Sequence, residues 1–181
     1  MIEDKLLIWK FKRGSSDALC RIYQKYKGSL LRLASGLLND TAAAEDIVHD
    51  CFVSFAQSSQ RVKVNGNLKG YLAASVANRA RNWNRAGQRR ATAGPNETGQ
   101  ILSGTKRPEQ WIIHTEQFRQ LNEALAQLSY EQREAITLHL QGEMKFKVIA
   151  ELQGVSINTV QSRYRYGLDK LRSILDSEAK L

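Results

Sequence analysis

The chain has 181 residues, of which 42% are hydrophobic and 25% charged, the composition of an ordinary globular protein with room for one medium domain or two small ones. Two cysteines, Cys20 and Cys51, are too few for a disulfide scaffold and lack metal-ligand spacing, while the apolar run Leu6 to Trp9 is far shorter than a signal-peptide core or the ~20 residues of a membrane span. The net charge of +9 lies in the first half: residues 1 to 90 hold 16 basic and 7 acidic residues, whereas residues 121 to 181 hold 8 of each. Secreted, transmembrane and disulfide-stapled classes fall away, and a cytoplasmic protein with a polyanionic partner is expected.

A short helix is expected around Lys5 to Lys12. Ala18, Leu19, Ile22, Tyr23, Tyr26, Leu30, Leu33 and Leu37 then recur at helical spacing behind Ser15 and Ser16, either of which can cap a helix start. Thr41 opens a second long helix running to about Gln57, with Ile47, Val48, Cys51, Phe52 and Phe55 along one side. A polar, basic loop from Arg61 to Asn67 leads to a third, about Leu68 to Arg85. The stretch Gly87 to Pro108 contains both prolines, Pro95 and Pro108, four glycines and no apolar periodicity, which reads as a flexible linker. Beyond it, Trp111, Phe118, Leu121, Leu125 and Leu128 mark another helix, and Ser129 with Gln132 forms a capping-box pair opening a helix from about Tyr130 to Leu140. Two more follow, about Lys145 to Gln153 and Ile157 to Ser173. Neither half shows sustained period-two alternation. The expected fold is all-α: two small helical domains, 1–86 and 109–181, joined by the flexible linker 87–108, the second containing a helix-turn-helix.

Three helix faces carry the functional signal. Ile149, Ala150, Gly154, Val155 and Val160 supply the small, turn-forming and apolar positions that a close helix-turn-helix crossing needs. Projection of the last helix at 100° per residue turns Val160, Tyr164, Leu168, Leu171 and Leu175 inward. Asn158, Thr159, Ser162, Arg165 and Tyr166 then point outward with Gln161 and Arg163 on the flanks, a set suited to base edges and phosphates. The third helix places Leu72, Val76 and Trp83 on one side and Tyr71, Ala74, Asn78, Arg81, Asn82 and Arg85 on the other, with Arg79 at the edge. Between Arg61 and Arg90 there are eight basic residues and no acidic one, a run of one sign that implies a polyanion. On the helix from Thr41, by contrast, Asp46, His49, Asp50, Val53 and Gln57 face outward, an acidic patch with an apolar centre that suits a basic protein surface.

These faces, in this order, resemble a bacterial RNA polymerase sigma factor of the extracytoplasmic-function type. The likeness is carried by AEDIVHDCFVSFAQ (Ala44 to Gln57), NLKGYLAASVANRARNWNR (Asn67 to Arg85), LSYEQREAITLHLQG (Leu128 to Gly142) and VIAELQGVSINTVQSRYRYGLDKLRSIL (Val148 to Leu175). It implies a first domain that binds core RNA polymerase and melts the promoter minus-ten element, and a second that reads the minus-thirty-five element. By position, Asp46, His49, Asp50, Phe52 and Val53 match the polymerase-binding stretch, Phe52 being inward by projection. Arg61, Lys63, Asn67, Asn78, Arg81, Asn82 and Arg85 match the minus-ten reader. Ser156, Asn158, Thr159, Gln161, Ser162, Arg163, Arg165 and Tyr166 match the minus-thirty-five reader. The chain departs from the family pattern at His49 and Asp50, at residues 143 to 148, at Asn158 and at Gln161, departures that bear on the promoter sequence. The implied partners are core polymerase, promoter DNA in duplex and single-stranded form, and an inhibitory anti-sigma factor; direct membrane insertion, a metal, a cofactor and catalytic residues are not implied. A self-sufficient helix-turn-helix regulator, an RNA-binding regulator and an enzyme or metalloprotein using Asp46, His49 and Cys51 are the rival readings, although residues 49 and 51 diverge on a helix.

Overall fold

A computed structural model describes residues 2–38, 40–58, 64, 67–92 and 116–178. Among the described residues there are eight helices and no strand: α1 (Ile2–Lys12), α2 (Ser16–Leu38), α3 (Thr41–Gln57), α4 (Leu68–Thr92), α5 (Glu116–Ala126), α6 (Tyr130–Leu140), α7 (Phe146–Gln153) and α8 (Ile157–Glu178). The starts have local causes. The Ser15 hydroxyl accepts from the Ala18 amide, the Asp40 carboxylate accepts from the Ala43 amide, and Ser129 and Gln132 form the reciprocal capping box ahead of α6.

Helix α2 is the axis of the molecule. α1 lies on its first half, burying Leu7 and Phe11, with Phe11 stacked on Phe55 of α3 at 4.6 Å between ring centres. Tyr26 of α2 donates to the Asp4 carboxylate of α1 at 2.7 Å, and Lys25 donates to the same oxygen at 2.9 Å. α3 and α4 close the other sides through Ile47, Val48, Cys51, Leu68, Leu72, Val76 and Ala80. The second half of α2 is buried on most sides: Leu30, Leu31, Leu33, Ala34, Leu37 and Leu38 are all in the core, with Arg32 half-buried between them. A helix apolar over more than one face needs cover on each, and here α5 and α6 supply the cover that α3 and α4 do not. The main apolar cluster therefore runs continuously from α1–α4 into Ala135, Leu138, Met144, Ile149, Ala150 and Val160. A smaller cluster, Ala124, Leu125, Leu128, Ile136 and Leu171, joins α5, α6 and α8.

Two features differ from the sequence expectations. α4 continues seven residues past Arg85 to Thr92, through the first part of the stretch expected as linker. Its alanine, glutamine and arginines are good helix formers, and they outweigh the ~1 kcal/mol that Gly87 costs. Among the described residues Ala80 is the last buried one of α4, so the helix then projects beyond α2 and α3. For that reason Trp83, expected inward with Leu72 and Val76, is 37% exposed. The remainder of the linker, including Pro95 and Pro108, and Trp111 lie outside the described residues.

Candidate functional site

On α3 the outward set is Asp46, His49, Asp50, Val53 and Gln57, all exposed, with Val53 at 40% near its centre. Phe52 is buried and meets Tyr23 edge-on at 4.8 Å, so it shapes this face by positioning α3. Asp50 lies 3.9 Å from Arg79 of α4, whose guanidinium also donates to the Ser54 hydroxyl. Arg79, at the edge in projection, is thus turned toward α3. Asp46 has no ion-pair partner among the described residues.

On α4, Asn78, Asn82 and Arg85 are exposed along one face. Asn67 is exposed at the start of the helix, its side-chain oxygen accepting from the Lys69 amide at 3.0 Å. Arg61 and Lys63 lie outside the described residues. Arg81 behaves differently from its neighbours. Its guanidinium reaches across to the second bundle, donating to the Glu134 carboxylate at 2.7 Å and to the Leu152 carbonyl at 3.0 Å.

The helix-turn-helix is α7, the turn at Gly154 to Ser156, and α8. Ile149 and Val160 are fully buried, Ala150 nearly so, and Gly154 ends α7 in the left-handed conformation with φ +66°. The amide of Val155 returns to the Ala150 carbonyl, closing the turn. Ser156 caps α8, its hydroxyl accepting from the Thr159 amide at 3.1 Å and meeting the Thr159 hydroxyl at 2.8 Å. Asn158, Gln161, Arg165 and Tyr166 are exposed beyond this cap, as are Ser156 and Thr159 themselves, while Ser162 is half-buried. Arg165 lies over the Tyr166 ring, 5.2 Å from its centre. Arg163 is half-buried and donates to Gln153 of α7 at 2.7 Å, which fixes it against the motif. Phe146 stacks on His139 at 4.2 Å and meets Tyr164 edge-on, so the unusual residues 143 to 148 are anchored by an aromatic contact.

A polar cluster at the junction of the two bundles is absent from the residue sets that the sequence suggests. Glu134 is 1% exposed and accepts from Arg81, from the Tyr130 hydroxyl at 3.3 Å and from Gln153 at 3.0 Å. Burial, with the Glu134 charge beside it, pushes the Tyr130 hydroxyl well above its ordinary range, so it stays a donor. The sequence does carry a sign of this cluster. Glu134 stands four residues before Leu138 and so on the core face of α6, where a carboxylate requires partners.

Among the described residues no group of three or more His, Cys, Asp or Glu side chains is placed to hold a metal, and no helix is long and apolar enough to cross a membrane. Both cysteines are free, and burial raises the Cys51 thiol, the opposite of what an activated nucleophile needs.

Residues 22–90 match Sigma-70 region 2 and residues 118–171 match Sigma-70, region 4. The chain belongs to the sigma-70 family of RNA polymerase sigma factors. Within that family it is a sigma factor of the extracytoplasmic-function type, as its relatives indicate. It is 26% identical over 166 residues to RNA polymerase sigma factor CarQ of Myxococcus xanthus, covering 92% of this chain and 94% of that one. With the ECF RNA polymerase sigma factor SigW of Bacillus subtilis it shares 22% identity over 179 residues, covering 94% and 96%. Its fold is that of CnrH in complex with the cytosolic domain of CnrY (TM-score 0.68, 18% identity, 97% of this chain and 98% of that chain). It is also that of the sigma factor RpoE in complex with the anti-sigma factor NepR from Bartonella quintana (TM-score 0.63, 23% identity, 86% and 97%).

Proposed function

We propose that this sigma factor docks on core RNA polymerase through the exposed face of α3 and brings it to a promoter with two separate DNA-reading ends. Asp46, His49 and Asp50 lie in the turns before Val53 and Gln57 in the turn after it, a pattern suited to a basic partner with an apolar centre. The N-terminal end of α8 enters the major groove of the minus-thirty-five element. There Asn158, Gln161 and Arg165 meet base edges or phosphates, Ser156, Thr159 and Ser162 add hydroxyl contacts, and Tyr166 flanks them; the amide end of the helix favours phosphate. Arg163 braces the motif through Gln153. Asn78, Asn82 and Arg85 of α4, with Arg81 when it is free and with Arg61, Lys63 and Asn67 of the preceding loop, hold unstacked bases of the minus-ten element. Because these residues capture a single strand, binding itself favours the melted state and requires no nucleotide hydrolysis by this chain.

The division of labour follows residues 1–86 for polymerase and minus-ten contacts, 87–108 as connection and 109–181 for minus-thirty-five contacts. Sigma factors are in general non-catalytic initiation factors, and nucleotide addition here belongs to the polymerase. The protein works in the cytoplasm, and the anti-sigma complexes formed by its structural neighbours support an inhibitor as a further partner.

The observation that carries this reading is the coexistence of an acidic α3 face with an exposed α8 recognition end in a chain matching both sigma regions. The test is assembly. Mixed with core polymerase, the chain co-elutes with it and protects both promoter elements from nuclease, whereas alone it shifts promoter duplex weakly. Strong sequence-specific binding without polymerase would support the self-sufficient regulator instead.

A further inference from the structure

Helix α1 is apolar on two sides. Leu7 and Phe11 are buried in the bundle, whereas Leu6 and Trp9 point away from it and are each 50% exposed. At 100° per residue Leu6, Trp9 and Arg13 fall within about 60° of one another, with Lys5 and Lys12 along one flank and Lys10 along the other. The Arg13 guanidinium lies 3.7 Å from the centre of the Trp9 ring and covers one face of it. The acidic residues of α1 are drawn away from this side, because Glu3 and Asp4 both pair with Lys25 of α2. Lys5, Lys10 and Lys12 are exposed and have no carboxylate partner among the described residues.

The outer side of α1 is therefore a basic surface with an apolar centre, which is what the outer face of α3 requires. α3 carries no lysine or arginine, and its exposed Asp46 and Asp50 precede Val53, itself 40% exposed. Each chain thus displays both halves of one complementary contact. Apolar side chains rimmed by charge mark association sites, and two α1 faces cannot serve each other, since lysine would meet lysine. Single-stranded DNA fits the α1 face less well. Leu6 offers nothing to a base or a phosphate, and Arg13 already occupies one of the two ring faces on which a base would stack at Trp9.

Resting on the proposed role of α3, we propose that free copies of this chain associate, the outer side of α1 in one copy covering the α3 face of another. A contact of one helix on another is smaller than the ~1,200 Å2 at which stable interfaces begin, so the association is weak and reversible. The net charge of +9 on each chain opposes approach at long range, but at physiological salt charges more than ~8 Å apart are largely screened while those in contact still act. A second copy and core polymerase cannot hold the α3 face together. Polymerase therefore draws chains from the associated pool by competition, and sigma factor in excess keeps its own docking face covered.

Sedimentation velocity of the full chain at physiological salt, over a ~100-fold range of concentration, tests this without polymerase. The mean sedimentation coefficient rises with concentration, and the rise shrinks at high salt. Trp9→Ala, Asp46→Lys, and Lys5→Glu with Lys10→Glu, all at exposed positions, each weaken the association at least ~10-fold with helicity intact by circular dichroism. An equimolar mixture of the Asp46→Lys protein and the Lys5→Glu, Lys10→Glu protein regains it, because the unaltered α1 of the first meets the unaltered α3 of the second. Absence of any concentration dependence, an association indifferent to Asp46→Lys, or a mixture no stronger than its components overturns the proposal. So does Trp9-dependent binding to phosphatidylglycerol vesicles without self-association, which would give the α1 face to a lipid surface. Failure of core polymerase to bind the unsubstituted chain strikes the proposed function instead, and leaves the sedimentation result standing.

Discussion

Asp46→Lys reverses one charge on the α3 face without disturbing the interior, because Asp46 is exposed and has no ion-pair partner among the described residues. Asp50 would be a poorer choice, since it lies 3.9 Å from Arg79 and a change there also alters the α3–α4 contact. Two unit charges ~4 Å apart at an effective dielectric constant of ~20 interact by ~4 kcal/mol. Solvent screening and side-chain freedom at an exposed interface reduce this to ~1–2 kcal/mol. Reversal replaces an attraction with a repulsion of similar size, a change of ~2–4 kcal/mol, or a ~30- to 1000-fold weaker complex. The assay is fluorescence anisotropy of the labelled chain titrated with core polymerase at low and raised salt, with circular dichroism as the control for helicity. The loss shrinks as salt rises. Equal affinity for the two proteins at low salt, with helicity intact, would refute the assignment of this face.

Three further outcomes follow from local geometry. Arg165→Ala weakens minus-thirty-five binding by ~1–3 kcal/mol with relaxed preference at one base pair if the guanidinium reads a base; an equal loss on every sequence, with a shallower salt dependence, assigns it to phosphate. Gly142→Ala destabilises the junction by at least ~1–3 kcal/mol in urea unfolding, since its Cβ would lie 2.6 Å from the Leu138 carbonyl oxygen, a backbone atom unable to yield; wild-type stability would contradict that close approach. At Asp4, burial alone raises the carboxyl, but the hydrogen bonds from Lys25 and Tyr26 prevail and hold it below its ordinary 3.8. The folded value being lower than the unfolded one, this stabilisation is complete above 3.8 and is lost as the pH falls through the folded value. Asp4→Asn flattens the acid limb between about pH 5 and about pH 3 in unfolding titrations; parallel curves for the two proteins would exclude the pairing.

Much of the architecture is legible in the sequence because it rests on local chemistry. The capping box at Ser129 and Gln132, the left-handed turn at Gly154, and the outward sets on α3 and α8 follow from residue type and a 100° projection. What escapes is mostly the relation between the halves. Periodicity along α2 picks out one apolar stripe ending at Leu37, yet Leu31, Ala34 and Leu38 form a second stripe whose cover arrives from α5 and α6, far along the chain. Arg81 shares a projected face with Asn78 and Arg85, and no periodicity on α4 alone reports that a buried carboxylate on α6 turns it aside. Trp83 keeps the heptad spacing of Val76 but outlives the core it should cover, because α4 is longer than the bundle beside it.

The central claim is that this polypeptide confers promoter choice on a polymerase. Purified core enzyme, transcribing a genomic fragment library with and without the chain, tests it directly by mapping transcript 5′ ends. The account predicts a small set of discrete starts that appear only with the chain, share upstream sequence at both element positions, and vanish with Asp46→Lys. No new discrete start at any fragment would contradict it.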